Sequence, residues 1–81
     1  MIRDTQVPLS ALPAGEVGLV RALTGGRGLV ARLAALGFIP GTEVMMLQNF
    51  GRGPLLVAVR NTRVALGRGE AARIWVSRKR G

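Results

Sequence analysis

At 81 residues the chain has the length of one domain, and a 48% hydrophobic content supplies a core, which excludes a disordered chain. It contains neither cysteine nor histidine, which excludes a disulfide framework, a thiolate metal site and any nucleophile paired with an imidazole base. Twelve lysine and arginine residues face four acids, for a net charge of +8, and such a balance suits an anionic partner: nucleic acid, an anionic membrane surface or an acidic protein face.

The competing account of that charge is an arginine-rich solvated surface. Arg78-Lys79-Arg80 forms the one cationic run, and as a chain end it reads as a solvated tail over residues 77–81. The start, Met1-Ile2-Arg3-Asp4, lacks the apolar stretch of a secretory signal, and no apolar run approaches the ~20 residues that span a bilayer. The expectation is a single cytoplasmic domain over residues 1–81, with its core at about residues 8–76.

Pro13-Ala14-Gly15 reads as a turn, and Val17 to Leu23, rich in branched apolar residues, as a strand. Gly25-Gly26-Arg27-Gly28 breaks it. Leu29, Val30, Leu33 and Leu36 then follow helical spacing, and Gly37 stands where a left-handed residue ends a helix. Pro40-Gly41 suits the centre of a type II turn. Val44 and Met46 alternate with Glu43 and Met45 in a second strand. Asn49 to Pro54 is a glycine-rich loop, after which Leu55, Val57 and Val59 alternate with Leu56, Ala58 and Arg60. Asn61-Thr62 is read as the tight turn before Val64 and Leu66 point inward. One helical turn through Glu70-Ala71-Ala72 precedes a last strand, Ile74-Trp75-Val76. About five short strands with one short helix between the first two predict a small antiparallel SH3-like barrel, mainly β, closed or nearly so.

Four blocks of this sequence resemble one family. Arg32 to Val44, carrying Leu36-Gly37-Phe38-Ile39-Pro40-Gly41, looks like the helix–turn–strand signature of FeoA domains. Gly53 to Leu66 is similar to their central hairpin, Glu70 to Val76 to their helical turn and last strand, and Leu9 to Glu16 to their start. The resemblance implies a small SH3-like barrel that assists a FeoB-type ferrous-iron transporter, at or near the transporter's cytoplasmic GTP-binding domain. The same domain also ends metal-dependent repressors of the diphtheria-toxin-repressor type; here the barrel begins within the first ten residues, which favours the transport accessory.

Site chemistry narrows the choice further. The carboxylates Asp4, Glu16, Glu43 and Glu70 are scattered, so no catalytic residues are expected. Ferrous iron favours imidazole and carboxylate ligands, and Met1, Met45 and Met46 are soft thioethers, so no metal site and no cofactor are expected either. Gly26-Arg27-Gly28, Gly51-Arg52-Gly53 and Gly67-Arg68-Gly69 do not fit a phosphate-binding loop. They read first as loops, with contact between their arginines and an anionic partner as the functional alternative. Phe38, Phe50 and Trp75 are too few rings for a base-stacking platform, although +8 implies nonspecific nucleic-acid affinity at low salt. A basic nucleic-acid-binding barrel is therefore the alternative function. The partner-binding candidates are Phe50 and Arg52 on the long loop, together with Met45, Leu47, Leu56 and Trp75, which alternate away from the core face. For Phe50 the competing account is packing against the end of the barrel; for the others it is cover by the helix or the N-terminal segment. The sequence leaves open whether copies pair through strand edges.

Overall fold

The computed structural model describes residues 5–79. Strands β1 (Gln6–Pro8), β2 (Val17–Leu23), β3 (Glu43–Gln48), β4 (Leu55–Val59), β5 (Thr62–Leu66) and β6 (Ile74–Lys79) form one sheet in the order β1-β6-β2-β3-β4-β5. Every pairing is antiparallel. A 3₁₀ turn (Leu9–Ala11) follows β1, helix α1 (Arg27–Ala35) links β2 to β3, and α2 (Arg68–Ala71) links β5 to β6.

The strands form because their side chains alternate. Val44 and Met46 of β3, Leu55, Val57 and Val59 of β4, and Val64 and Leu66 of β5 all turn into the core, with Met45, Ala58 and Arg63 between them facing out. Val20, Ile74 and Val76 close the core from β2 and β6, and Leu9, Leu12, Leu33 and Phe38 fill it from the connections.

Helix α1 ends as its glycine dictates. Gly37 has φ +110°, its N–H donates to the Ala34 carbonyl (3.0 Å), and the Phe38 N–H donates to that of Leu33 (3.1 Å). This pair of bonds is the Schellman arrangement, and Leu33 and Phe38, the positions whose apolar contact commonly accompanies it, are both fully buried in one core cluster. A Cβ at position 37 would also lie 3.1 Å from Cδ of Arg60. Gly37→Ala is therefore expected to cost about 1–2 kcal/mol in chemical denaturation, from φ strain and crowding together. The Pro40-Gly41 turn is as read: Gly41 has φ +96° and the Thr42 N–H reaches the Ile39 carbonyl at 2.9 Å.

Four expectations are corrected. There are six strands rather than five, because Gln6–Pro8 pairs with Trp75–Ser77; three residues ending in proline carry no strand pattern, and the helix consequently lies between the second and third strands. The β4–β5 turn is centred on Arg60-Asn61, not Asn61-Thr62, since Arg60 (φ 51°) and Asn61 (φ 63°) are both left-handed and Val59 pairs with Thr62. That is a type I′ turn, which matches strand twist but suits Asn-Gly better than arginine. Replacing Arg60-Asn61 by Asn-Gly is expected to raise stability by about 0.5–1 kcal/mol, read from the urea midpoint. Leu36 is 39% exposed rather than inward, because it caps the helix after the last full turn. Ser77–Lys79 are not a solvated tail, because they continue β6 beside β2; Arg80, like Met1 and Asp4, lies outside the described residues.

Candidate functional site

The loop from Asn49 to Pro54 leaves β3 and returns as β4, and its glycines set its course. Gly51 (φ +82°) and Gly53 (φ +74°) both occupy the left-handed region, which strains residues with a Cβ. Phe50 just before the first glycine and Arg52 between the two are both carried outward. Phe50 is 76% exposed, so it does not pack against the barrel end, and Arg52 is exposed beside it.

The outer face of the sheet adjoins this loop. Val17, Met45, Ala58 and Arg63 lie side by side across β2 to β5, and Met45 is 40% exposed. Val17, Met45 and Ala58 line a shallow recess of about 260 Å³ that is rimmed by Glu43, Arg60 and Asn61. Leu56, half-buried, sits opposite Ala65 on the same face of β4, just past the loop. The structure thus sets Leu56 beside the Phe50 loop, while Met45, opposite Ala58, lies further along the same face toward the Arg60-Asn61 turn. Trp75 is half-buried on β6, in register with Ala22 and Pro8; Ala22 lies well along β2 from Val17, so Trp75 stands apart from that group. Leu47 is half-buried.

With the fold and this face defined, comparison with known proteins places the chain. Residues 7–78 match the family model of the FeoA domain. This chain belongs to the FeoA family. A Methanocaldococcus jannaschii protein with the provisional name Fe(2+) transport protein A is 30% identical over 69 residues, which cover 85% of this chain and 83% of that one. A crystal structure of an iron uptake regulatory protein, FeoA, superposes with a TM-score of 0.87 at 32% identity, covering 93% of this chain and all of the other. FeoA of Stenotrophomonas maltophilia, solved with zinc, superposes at 0.78 with 38% identity over 89% of this chain and 94% of its own; it is described as a prokaryotic SH3 domain protein suggested to act as a ferrous iron transport activating factor. The SH3-like antiparallel fold expected from the strand pattern is the fold of this FeoA-family chain.

Electrostatics sharpen the face. Glu16, Glu43 and Glu70 are each in an ion pair, with Arg78 (2.7 Å), Lys79 and Arg32 respectively. Exposed pairs of this kind add little stability. Their consequence is local: with these carboxylates neutralised by near neighbours, Arg52 stands exposed on the loop, and Arg60 and Arg63 stand exposed beside the recess at the other end of β4. Among the described residues no three His, Cys, Asp or Glu side chains come together as a metal-holding group, and no helix is long and apolar enough to cross a membrane.

Sequence reasoning missed Asn49 and Arg68. The Asn49 amide donates to the carbonyls of Ser10 (3.0 Å) and Leu12 (2.9 Å) and accepts from the Gly51 N–H (3.1 Å) and from Arg68 Nη2 (2.9 Å). Arg68 also donates to the carbonyls of Gly53 and Ser10, each at 3.2 Å. Arg68 is therefore turned inward onto the fold, unlike Arg52 of the matching Gly-Arg-Gly triplet. Asn-Phe-Gly, with an Asn two residues before a left-handed glycine, was the available signal for the first of them. Nothing local announces Arg68, whose partner carbonyl at Ser10 is 58 residues away.

Proposed function

We propose that this chain is a non-catalytic accessory of ferrous-iron uptake, acting at the cytoplasmic side of the membrane by binding the cytoplasmic part of a FeoB-type transporter. The family membership and the transport roles given to its relatives support the process. The observation that carries the binding role is Phe50, a large aromatic ring left 76% exposed on a chain whose other phenylalanine is fully buried. A folded domain keeps such a ring in water at the loss of its burial energy, and aromatic and arginine side chains are the ones enriched at interface centres. Arg52 beside it, and Met45 and Leu56 on the adjoining face, supply the rest of the contact; Trp75 stands apart from it.

The test is capture with the tagged chain from detergent-solubilised membranes at about 150 mM salt, with nuclease treatment. Retention of a FeoB-type transporter by the parent, and its loss with the Phe50→Ala/Arg52→Ala double variant, is expected. Retention by both proteins alike overturns the assignment of the loop. Recovery of RNA-associated proteins that vanish with nuclease, without transporter, replaces the proposal by a phosphate-driven one.

A further inference from the structure

A six-residue loop with two glycines is expected to sample many shapes, and ordering it on binding costs roughly 1 kcal/mol or more per residue. This loop is not free to do so. Asn49 uses all of its hydrogen-bonding capacity, two N–H donors and two acceptor positions, on four different groups. One of those groups is the Gly51 N–H within the loop; the others are the Ser10 carbonyl of the 3₁₀ turn, the carbonyl of Leu12 just after it, and Arg68 of α2. Arg68 ties the far side of the loop at the Gly53 carbonyl, so the bonds to Gly51 and Gly53 bracket Arg52. Arg68 is itself fixed at the start of α2, where the Glu70 carboxylate accepts the Gly67 N–H at 3.1 Å.

The geometry points to Asn49 and Arg68 as positioning residues that hold the loop as a preformed prong, with Phe50 aimed at an apolar pocket of the partner and Arg52 at a carboxylate on that pocket's rim. This inference rests on the transporter-binding reading above and adds to it the chemistry of the partner surface and the device that presents the ring. The residue types are specific to the task. Aspartate at position 49 loses both donors and sets a charge against the Ser10 and Leu12 carbonyl oxygens. Lysine at 68 keeps the charge but replaces the planar fork, which spans the Gly53 carbonyl and Asn49 Oδ1, by a single point donor.

The experiment compares the parent with Arg68→Gln, Arg68→Lys, Phe50→Ala and the Phe50→Ala/Arg68→Gln double variant. Amide hydrogen exchange is measured on the free proteins, and affinity on the full-length, detergent-solubilised transporter. Arg68→Gln is expected to speed exchange at Gly51, whose N–H is held by Asn49 Oδ1, about tenfold or more, with the β-strand amides unchanged. It is expected to weaken binding about tenfold in the parent but less than about twofold in the Phe50→Ala background, because its effect passes through the ring. Arg68→Lys restores part of both. Unchanged loop exchange, or equal weakening with and without Phe50, overturns the inference. A parent that does not bind the transporter sinks the underlying reading instead, and loop exchange alone then decides whether Asn49 and Arg68 lock the prong.

Discussion

Phe38→Ala is expected to cost about 3–5 kcal/mol of folding free energy, the largest loss from any single substitution considered. Phe38 is fully buried and is the largest fully buried side chain among the described residues. It also occupies the position after Gly37 where its own N–H closes the helix on Leu33, so truncation opens a cavity at the point where α1 is held to the sheet. A chain of this size has roughly 4–12 kcal/mol in all, and the variant is therefore expected to be substantially unfolded at low urea. Phe38→Leu, which keeps most of the volume, should remain folded with a lowered urea midpoint and an unchanged slope. A Phe38→Ala midpoint within about 0.5 kcal/mol of the parent would show that the core is not built as described.

Phe50→Ala is expected to do the opposite. Because the ring is 76% exposed and touches the fold little, stability should change by less than about 0.5 kcal/mol. Affinity for the transporter should fall by about 2–3 kcal/mol, roughly 30- to 150-fold, as for a central aromatic anchor. Arg52→Ala, removing a group at the rim of the same contact, should cost less and should lower the salt dependence of binding. Calorimetric titration of parent and variants, with thermal melts of the free proteins, separates these effects. A folded Phe50→Ala protein that binds like the parent would remove Phe50 from the interface.

The contrast between these two phenylalanines shows what a sequence reader can and cannot see. Phe38 was legible as core because it follows a helix-ending glycine and precedes a Pro-Gly turn, both fixed by local backbone chemistry. Val17–Leu23 and the β3 to β5 strands were legible because branched apolar residues alternate with a period of two. Gln6–Pro8 was not: its strand character comes from β6, some 70 residues away, and not from its own composition. The placing of the hairpin turn missed by one residue because arginine is a poor signal for a left-handed position, which Arg60 nonetheless occupies. Phe50 and Arg52 could be named as candidates from the loop's glycines, whereas the exposure of the ring, and the inward turn of Arg68, are facts of tertiary structure. The same limit applies to Trp75, half-buried between two core residues of β6, whose separation from Met45 depends on strand register.

The most direct test of the central claim is a titration of the purified chain into the full-length FeoB-type transporter in detergent, at about 50 and about 200 mM salt. Saturable binding whose affinity changes by less than about tenfold between the two salts is the predicted result, since an interface with an apolar anchor does not depend on counterion release alone. Absence of binding, or an affinity that falls by about a thousandfold over that range as phosphate-driven association does, would contradict the account.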